Sequence, residues 1–184
     1  MLNKNMSKQK IEDFLATKGD FVKIDYLNRF LKENIPHDMK KFVYSKLALI
    51  YEKNNMFANA AKMYDVLALA SIVYSEKIKS YVKESEVYIK GGFFSKADEA
   101  MKKAMAEANA VQRNEIYIAV KNFYKKQAEV HEREIQRNRA AKIYEKLLEM
   151  STGEIEKQEI KEKLLKLYNK LGKFREAEIL KKLR

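Results

Sequence analysis

The 184-residue sequence has no cysteine, one proline and only five glycines. The absence of cysteine excludes disulfides, zinc–thiolate sites and a thiol nucleophile. Proline and glycine are the residues that most often form turns and break helices. Their scarcity therefore predicts long helices and argues against an all-β fold.

Long apolar runs are also missing from the chain. No stretch of 18 or more apolar residues occurs, and residues 1–14 lack the apolar core of a signal peptide. We therefore expect a soluble, cytoplasmic protein with no segment inserted in a membrane. Hydrophobic residues still make up 46% of the chain, which is enough to bury a core and argues against disorder.

Histidine is nearly absent as well, since the chain contains only His37 and His131. His131 is followed by Glu132, but Ile135 stands where the zinc-binding pattern H-E-x-x-H requires a second histidine. We therefore expect His131 to lie on a charged helix surface, and we expect no metal site.

Catalytic motifs are equally lacking. The residues Gly91–Phe94 follow no strand-like segment and include no Gly-Lys-Ser/Thr, so a phosphate-binding loop is not predicted. The carboxylate pairs Glu84/Glu86 and Glu132/Glu134 are spaced two residues apart and point to different sides of a helix. We find no acid–base pair, and we expect a non-catalytic protein without a cofactor.

The net charge is +12, and it is spread over both halves of the chain with acidic residues interleaved among the lysines. Lysine strongly outnumbers arginine, whereas nucleic-acid grooves often use arginine forks as well. This distribution favours a lysine-rich solvated surface over a dedicated polyanion site.

The stretch Tyr44–Leu67 shows the chain's organisation most clearly. Each half carries apolar residues at the i, i+3, i+4, i+7 spacing of one helix face, namely Tyr44, Leu47, Ala48 and Tyr51, then Phe57, Ala60, Ala61 and Tyr64. Between the halves Asn55 tolerates the left-handed backbone that ends a helix. The stretch therefore predicts a two-helix hairpin.

This hairpin recurs along the chain. Its small residue Ala60 is followed by Ala97, Ala140 and Ala177, at spacings of 37, 43 and 37 residues. In this hairpin the turn residue Asn55 follows Tyr51 by four residues, and Gly92 and Gly172 each follow a tyrosine by the same four residues. The N-terminal copy has Gly19 at its turn. We predict turns near residues 19, 55, 92, 135 and 172, and we expect the four alanines to allow close contact between the helices of each hairpin.

We predict a single repeat domain over 1–184 with units at 5–36, 41–70, 72–110, 112–151 and 154–184. The expected helices are 6–18, 21–34, 38–54, 57–70, 72–90, 94–110, 112–134, 138–150, 154–171 and 174–183. Ser95, and Ser151 with Glu154, are the predicted N-cap signals. Nothing around Ser71 would stop a helix.

The spacing and residue types resemble the tetratricopeptide repeat, a helix–turn–helix unit of about 34 residues. The matching positions are Gly19, Phe21, Leu31, Pro36, Tyr44, Leu47, Ala48, Tyr51, Ala60, Tyr64, Tyr81, Tyr88, Gly92, Phe94, Ala97, Met101, Ala104, Leu164, Tyr168, Gly172, Phe174 and Ala177. Asn55 replaces the turn glycine, and Glu84 stands where leucine is expected. The longer period and the sequences AAKMYDVLALAS and AAKIYEKLLEMS are similar to SNAP-type adaptors.

The resemblance implies an all-α, right-handed α-solenoid of about five repeats and ten antiparallel helices. It also implies a scaffold or adaptor whose first helices line a concave groove for a protein or peptide segment, here an acidic one. The groove candidates by register are Lys46, Leu49, Lys53, Lys79, Lys83, Glu86, Lys90, Asn122, Lys126, Glu129, Arg133, Lys163, Lys166 and Lys170. Two alternatives stay open. One is that these residues are only the exposed faces of their helices, and the other is that the chain forms a homodimer through one end. The alternative function is a basic helical-repeat protein associated with nucleic acid.

Overall fold

The structure, a computed structural model, describes residues 2–151 and 153–182. Within these ranges the chain forms ten α-helices and no strand, which confirms the all-α class. The helices are α1 Lys8–Ala16, α2 Asp20–Phe30, α3 His37–Lys53, α4 Phe57–Leu69, α5 Tyr74–Lys90, α6 Phe94–Ala106, α7 Ala110–Arg133, α8 Arg137–Met150, α9 Glu154–Lys170 and α10 Phe174–Lys182. These bounds match the ten predicted helices to within a few residues, and the predicted end of the last helix at residue 183 lies outside the described residues.

The chain divides into two compact units, Met1–Arg113 (unit 1) and Asn114–Arg184 (unit 2). In unit 1, helices α2 to α6 pack consecutively, each on the next. In unit 2, α8 packs on α9 and α9 packs on α10. The single repeat domain over 1–184 and the right-handed solenoid stay predictions.

Four of the five hairpin turns share one backbone design. Asn55, Gly92, Ile135 and Gly172 each adopt a positive φ, between 57° and 76°. In each turn the N–H of the following residue donates to a carbonyl five positions earlier, which defines a Schellman motif. These hydrogen bonds join Met56 to Tyr51 (2.8 Å), Phe93 to Tyr88 (2.9 Å), Gln136 to His131 (2.8 Å) and Lys173 to Tyr168 (2.9 Å). The turns predicted near 55, 92, 135 and 172 are confirmed.

The first turn is built differently. Gly19 has φ −66° and precedes α2 as its N-cap residue. Its backbone is therefore one that other residues adopt, and the turn near residue 19 is confirmed without the left-handed geometry of the other four.

The predicted small residues lie in the interior. Ala60, Ala97, Ala140 and Ala177 are all at most 2% exposed. A methyl side chain at these positions lets two helix axes approach closely, so the packed helices can interdigitate their larger side chains. The burial of all four alanines agrees with the register of the repeat.

Two polar interactions recur 80 residues apart, once in each unit. The Tyr64 hydroxyl donates to Glu52 at 2.7 Å, and the Tyr144 hydroxyl donates to Glu132 at 2.9 Å. Each tyrosine lies on the second helix of a hairpin and each glutamate on the first. These bonds tie α4 to α3 and α8 to α7, so the hairpins 41–70 and 112–151 share side-chain chemistry as well as turn geometry.

A serine ends the second helix of the same two hairpins. The Ser71 hydroxyl donates to the carbonyl of Leu67 at 2.9 Å, and that of Ser151 donates to the carbonyl of Leu147 at 2.7 Å. Both bonds satisfy a carbonyl in the last turn of a helix, which the helix itself leaves without a partner. The helix α4 ends at Leu69, although the sequence alone offers no stop signal there.

Two predicted N-caps are wrong. Phe93 is the N-cap residue of α6, so Ser95 lies inside that helix. Gly153 is the N-cap residue of α9, and Ser151 instead closes α8 with its hydroxyl. Phe93 belongs to the Schellman turn before α6, and the Ser151 hydroxyl is engaged by the Leu147 carbonyl, so neither serine acts as an N-cap despite the capping preference of serine.

Within 2–151 and 153–182, no helix is long and apolar enough to cross a membrane.

Candidate interaction grooves

The first helices of neighbouring hairpins lie side by side in unit 1. Lys8 of α1 pairs with Asp38 of α3 at 3.2 Å, and Lys41 of α3 pairs with Glu76 of α5 at 2.6 Å. The hydrogen bond from the Lys41 ammonium is the main reason that the pKa of Glu76 lies below its usual value. These pairs connect α1, α3 and α5 along one face of unit 1.

The same arrangement exists in unit 2. Lys121 and Lys125 of α7 both pair with Glu156 of α9. Their hydrogen bonds lower the pKa of Glu156 to about 2, so this carboxylate stays charged throughout the physiological range. Lys41 and Lys121 are 80 residues apart, as are Glu76 and Glu156. The contact between first helices therefore repeats with the same period as the hairpin interactions.

A cavity of about 520 Å³, which we call groove 1, opens along this face of unit 1. Its walls come from α1, α3 and α5, and Leu67 of α4 contributes from behind. Three lysines and two carboxylates line it together with a phenylalanine and three serines. The lining residues are Lys8, Asp38, Lys41, Phe42, Ser45, Leu67, Ser71, Glu76, Lys79 and Ser80.

A smaller cavity of about 180 Å³, which we call groove 2, occupies the corresponding place in unit 2. It lies between α7 and α9, with α8 behind. Two lysines and three carboxylates line it, so the excess charge has the opposite sign from that of groove 1. The lining residues are Lys125, Glu129, Tyr144, Leu147, Glu156, Glu159, Ile160 and Lys163.

The two grooves are equivalent by the 80-residue period. Five lining positions coincide, pairing Ser45 with Lys125, Leu67 with Leu147, Glu76 with Glu156, Lys79 with Glu159 and Ser80 with Ile160. Both grooves have the leucine (Leu67 or Leu147) and the ion-paired glutamate (Glu76 or Glu156), whereas Lys79 of groove 1 corresponds to the carboxylate Glu159 of groove 2. The two grooves therefore share part of their lining but differ in charge.

Three of the predicted site residues line a groove, namely Lys79 in groove 1 and Glu129 and Lys163 in groove 2. The other predicted residues of unit 1 lie elsewhere on α3 and α5: Lys46, Leu49, Lys53, Lys83, Glu86 and Lys90. The other predicted residues of unit 2 lie elsewhere on α7 and α9: Asn122, Lys126, Arg133, Lys166 and Lys170. The site assignment as a whole stays a prediction.

Most of the unit 1 lysines in the expected basic groove pair with carboxylates, and the binding of an acidic segment there stays a prediction. Lys46 pairs with Glu12, and Lys83 pairs with Glu86 at 2.7 Å. The remaining pairs are Lys53 with Asp20 at 2.8 Å and Lys90 with Glu52 at 2.9 Å. Lys79 makes no ion pair or hydrogen bond within the described ranges of the chain.

The expectation for His131 is also wrong. The side chain is 6% exposed, because it takes the place that Tyr51, Tyr88 and Tyr168 hold in the other Schellman turns. Its Nε2 lies 3.2 Å from Nε2 of Gln127. Burial lowers the pKa of His131, so the neutral ring is the stable form at neutral pH.

Glu84 is another polar residue in an interior position. It stands where Leu47 and Leu164 occupy the equivalent turn of their helices, and its side chain is only 4% exposed. Lys103 lies 3.3 Å from one carboxylate oxygen and 2.7 Å from Asp65. Burial first, and the charge of Asp65 second, raise the pKa of Glu84 to about 7.

Sequence reasoning missed the groove residues on the flanks of the first helices, among them Lys41, Glu76 and Glu156. Register within one repeat identifies the most outward face, whereas the grooves lie between helices. The signal that could have found them is the 80-residue spacing of Lys41 with Lys121 and of Glu76 with Glu156.

Among the residues that the structure describes, no group of three or more histidine, aspartate or glutamate side chains is placed to hold a metal ion.

Comparison with known proteins gives little further information. No family model matches the sequence, and no curated protein matches it. Among solved structures, the chain is similar to the crystal structure of BtubC (BKLC) from P. vanneervenii, with 18% sequence identity over 94% of this chain and 75% of that chain. The TM-score is 0.40, and a likeness at this level carries no argument about function.

Proposed function

We propose that this protein is a non-catalytic interaction scaffold built from tetratricopeptide-like repeats stacked as a right-handed solenoid. The repeated Schellman turns, the buried alanines and the side-by-side first helices support this assignment. A location in the cytoplasm is part of the proposal, since a chain without cysteine gains nothing from an oxidising compartment. A homodimer through one end of the stack remains an open alternative.

We further propose that groove 1 binds an acidic peptide segment. The observation that carries this proposal is the position of Lys79 in a cavity of about 520 Å³, with no ion pair or hydrogen bond of its own in the described ranges. Phe42 and Leu67 add an apolar surface beside this charge. A carboxylate of the partner can therefore pair with Lys79 while an adjacent apolar side chain is buried.

The nucleic-acid alternative has weaker support. A duplex or single strand is bound mainly through phosphate contacts from several unpaired cations. In unit 1, Lys8, Lys41, Lys53 and Lys90 already pair with carboxylates of neighbouring helices. Breaking these pairs would offset much of the attraction to phosphate.

The test is fluorescence anisotropy with a labelled peptide of alternating glutamate and leucine. We expect Lys79→Glu to weaken binding about fivefold, which corresponds to about 1 kcal/mol for an exposed charge pair. The matched control is Lys62→Glu on the exposed side of α4, which changes the net charge equally and should leave the affinity within about twofold.

Equal weakening by both variants would show that the peptide responds only to net charge, and groove 1 would then be the wrong site. An RNA oligonucleotide should be tested in parallel at low salt. RNA binding that falls log-linearly with salt, in the absence of peptide binding, would favour the second function.

A further inference from the structure

We propose that groove 2 binds a basic side chain, a lysine or arginine of a partner protein segment, and so has the opposite charge preference from groove 1. This inference rests on the proposed function, because it assumes that the grooves are where partners bind.

The first support is the pair of carboxylates on opposite walls. Glu129 extends from α7 and Glu159 from α9, and both side chains are exposed at the cavity. Neither makes an ion pair or hydrogen bond in the described ranges, whereas the third carboxylate, Glu156, is held by two lysines. Two carboxylates without partners, facing one cavity, can together accept hydrogen bonds from a guanidinium or ammonium group.

The second support is the floor of the groove. Tyr144 lies there beside Leu147 and Ile160, and each of the three residues is at most 5% exposed. The Tyr144 hydroxyl donates to Glu132 at 2.9 Å, which fixes the orientation of the ring. An aromatic ring with apolar neighbours suits the methylene stem and the cationic head of a lysine or arginine, and the cavity of about 180 Å³ has the scale of one such side chain.

The third support is a cation already placed at this ring. The Nζ of Lys163 lies 5.5 Å from the centroid of Tyr144. Lys163 is exposed and joined to the chain by a flexible stem, so an incoming cation can displace it. Lys163 therefore acts as an internal competitor, and its removal should increase the affinity for a basic ligand.

The contrast with groove 1 argues that the charge is specific to unit 2. By the 80-residue period, Glu129 corresponds to Leu49 and Glu159 corresponds to Lys79. The frame that joins the first helices is kept in both units, through Glu76 and Glu156. Ser45 and Lys125 also differ in charge, but Lys125 pairs with Glu156, whereas Glu129 and Glu159 make no ion pair in the described ranges. This difference is expected for two grooves that bind different segments of a partner.

The experiment uses the full chain and a labelled peptide of alternating arginine and glycine, measured by anisotropy in about 0.1 M salt, where the Debye length is about 10 Å. The net charge of +12 repels this peptide, so binding requires local carboxylates. We expect Glu159→Lys to weaken binding about tenfold and Lys163→Gln to strengthen it about threefold. The gain expected for Lys163→Gln cannot arise from failure to fold.

The matched control is Glu178→Lys on α10, which makes the same change in net charge outside the groove-lining residues. It should weaken binding less than twofold, whereas equal effects of Glu178→Lys and Glu159→Lys would overturn the inference. No binding of the basic peptide, or an affinity unchanged by Glu159→Lys, would also overturn it. If Lys79→Glu still weakens binding of the acidic peptide, the assignment of groove 1 is retained and only that of groove 2 is rejected. If Lys79→Glu leaves the affinity for the acidic peptide unchanged, the proposed function of groove 1 is rejected independently.

Discussion

Replacing Glu84 with glutamine should remove a large part of the pH dependence of stability in this protein. Glu84 is buried in a position that leucine fills in two other repeats, and its Oε2 has no hydrogen-bond partner among the described residues. Lys103 approaches the other oxygen but also pairs with Asp65, so one cation serves two carboxylates. The charged form of Glu84 is therefore disfavoured in the folded state.

The magnitude follows from the pKa. The folded protein raises the pKa of Glu84 from 4.5 to about 7. A tenfold change in proton affinity corresponds to about 1.4 kcal/mol, so the full effect is about 3 kcal/mol. Because the unfolded chain releases this proton first, the free energy of unfolding falls as the pH rises from about 4.5 to about 7 and then levels off.

The assay is urea-induced unfolding followed by circular dichroism at pH 5 and pH 8. We expect the difference in stability between Glu84→Gln and the wild type to change by about 2.5 kcal/mol between these values, in favour of the variant at pH 8, since part of the full effect lies below pH 5. The matched control is Glu86→Gln, on the same helix but paired with Lys83 near solvent, and its difference in stability from the wild type should change less between the two pH values than that of Glu84→Gln. A difference for Glu84→Gln that is the same at both pH values would refute the reasoning.

Three further predictions concern the turns and the helix contacts. Ile135→Asn should stabilise the protein by about 1 kcal/mol in urea unfolding, because Ile135 is 68% exposed and has φ 59°, which asparagine tolerates better. Gly172→Ala should cost about 1 kcal/mol through φ 70° alone, since no atom lies within 4 Å of an added Cβ; an unchanged midpoint would contradict this. Ala97→Leu should cost about 1–3 kcal/mol by overpacking, and an unchanged melting temperature would count against the proposed register.

The helices were predictable because their signals are local. Apolar residues at helical spacing and residues that tolerate the left-handed backbone, such as Asn55 and Gly92, act within one hairpin. The serine caps were not predictable in the same way. Whether Ser151 begins α9 or closes α8 depends on competing hydrogen bonds of similar strength, and these are decided by the packed backbone.

The grooves were only partly predictable. Repeat register placed Lys79 and Glu129 correctly on the first helices, but it could not show which neighbouring carboxylates neutralise the other lysines. Ion pairs such as that of Lys90 with Glu52 join residues 38 positions apart and depend on how first helices pack. Burial of His131 was missed for a related reason, since periodicity alone does not reveal that a histidine has replaced a seam tyrosine.

The α7–α8 turn has an isoleucine with positive φ and a buried histidine within five residues, whereas other turns of this kind have glycine or asparagine and a tyrosine. This difference affects where the folded protein opens locally. Ile135 stores backbone strain, and His131 becomes harder to keep buried as the pH falls below 6.5 because its charged form is disfavoured there. The α3–α4 turn has the same hydrogen bonds, but it has Asn55 in place of the isoleucine and Tyr51 in place of the histidine. Amide hydrogen exchange should therefore show less protection for Gln136 than for Met56, with the gap widening in mild acid. The α3–α4 turn is thus an internal reference for the loss of local stability that Ile135 and His131 cause in the α7–α8 turn.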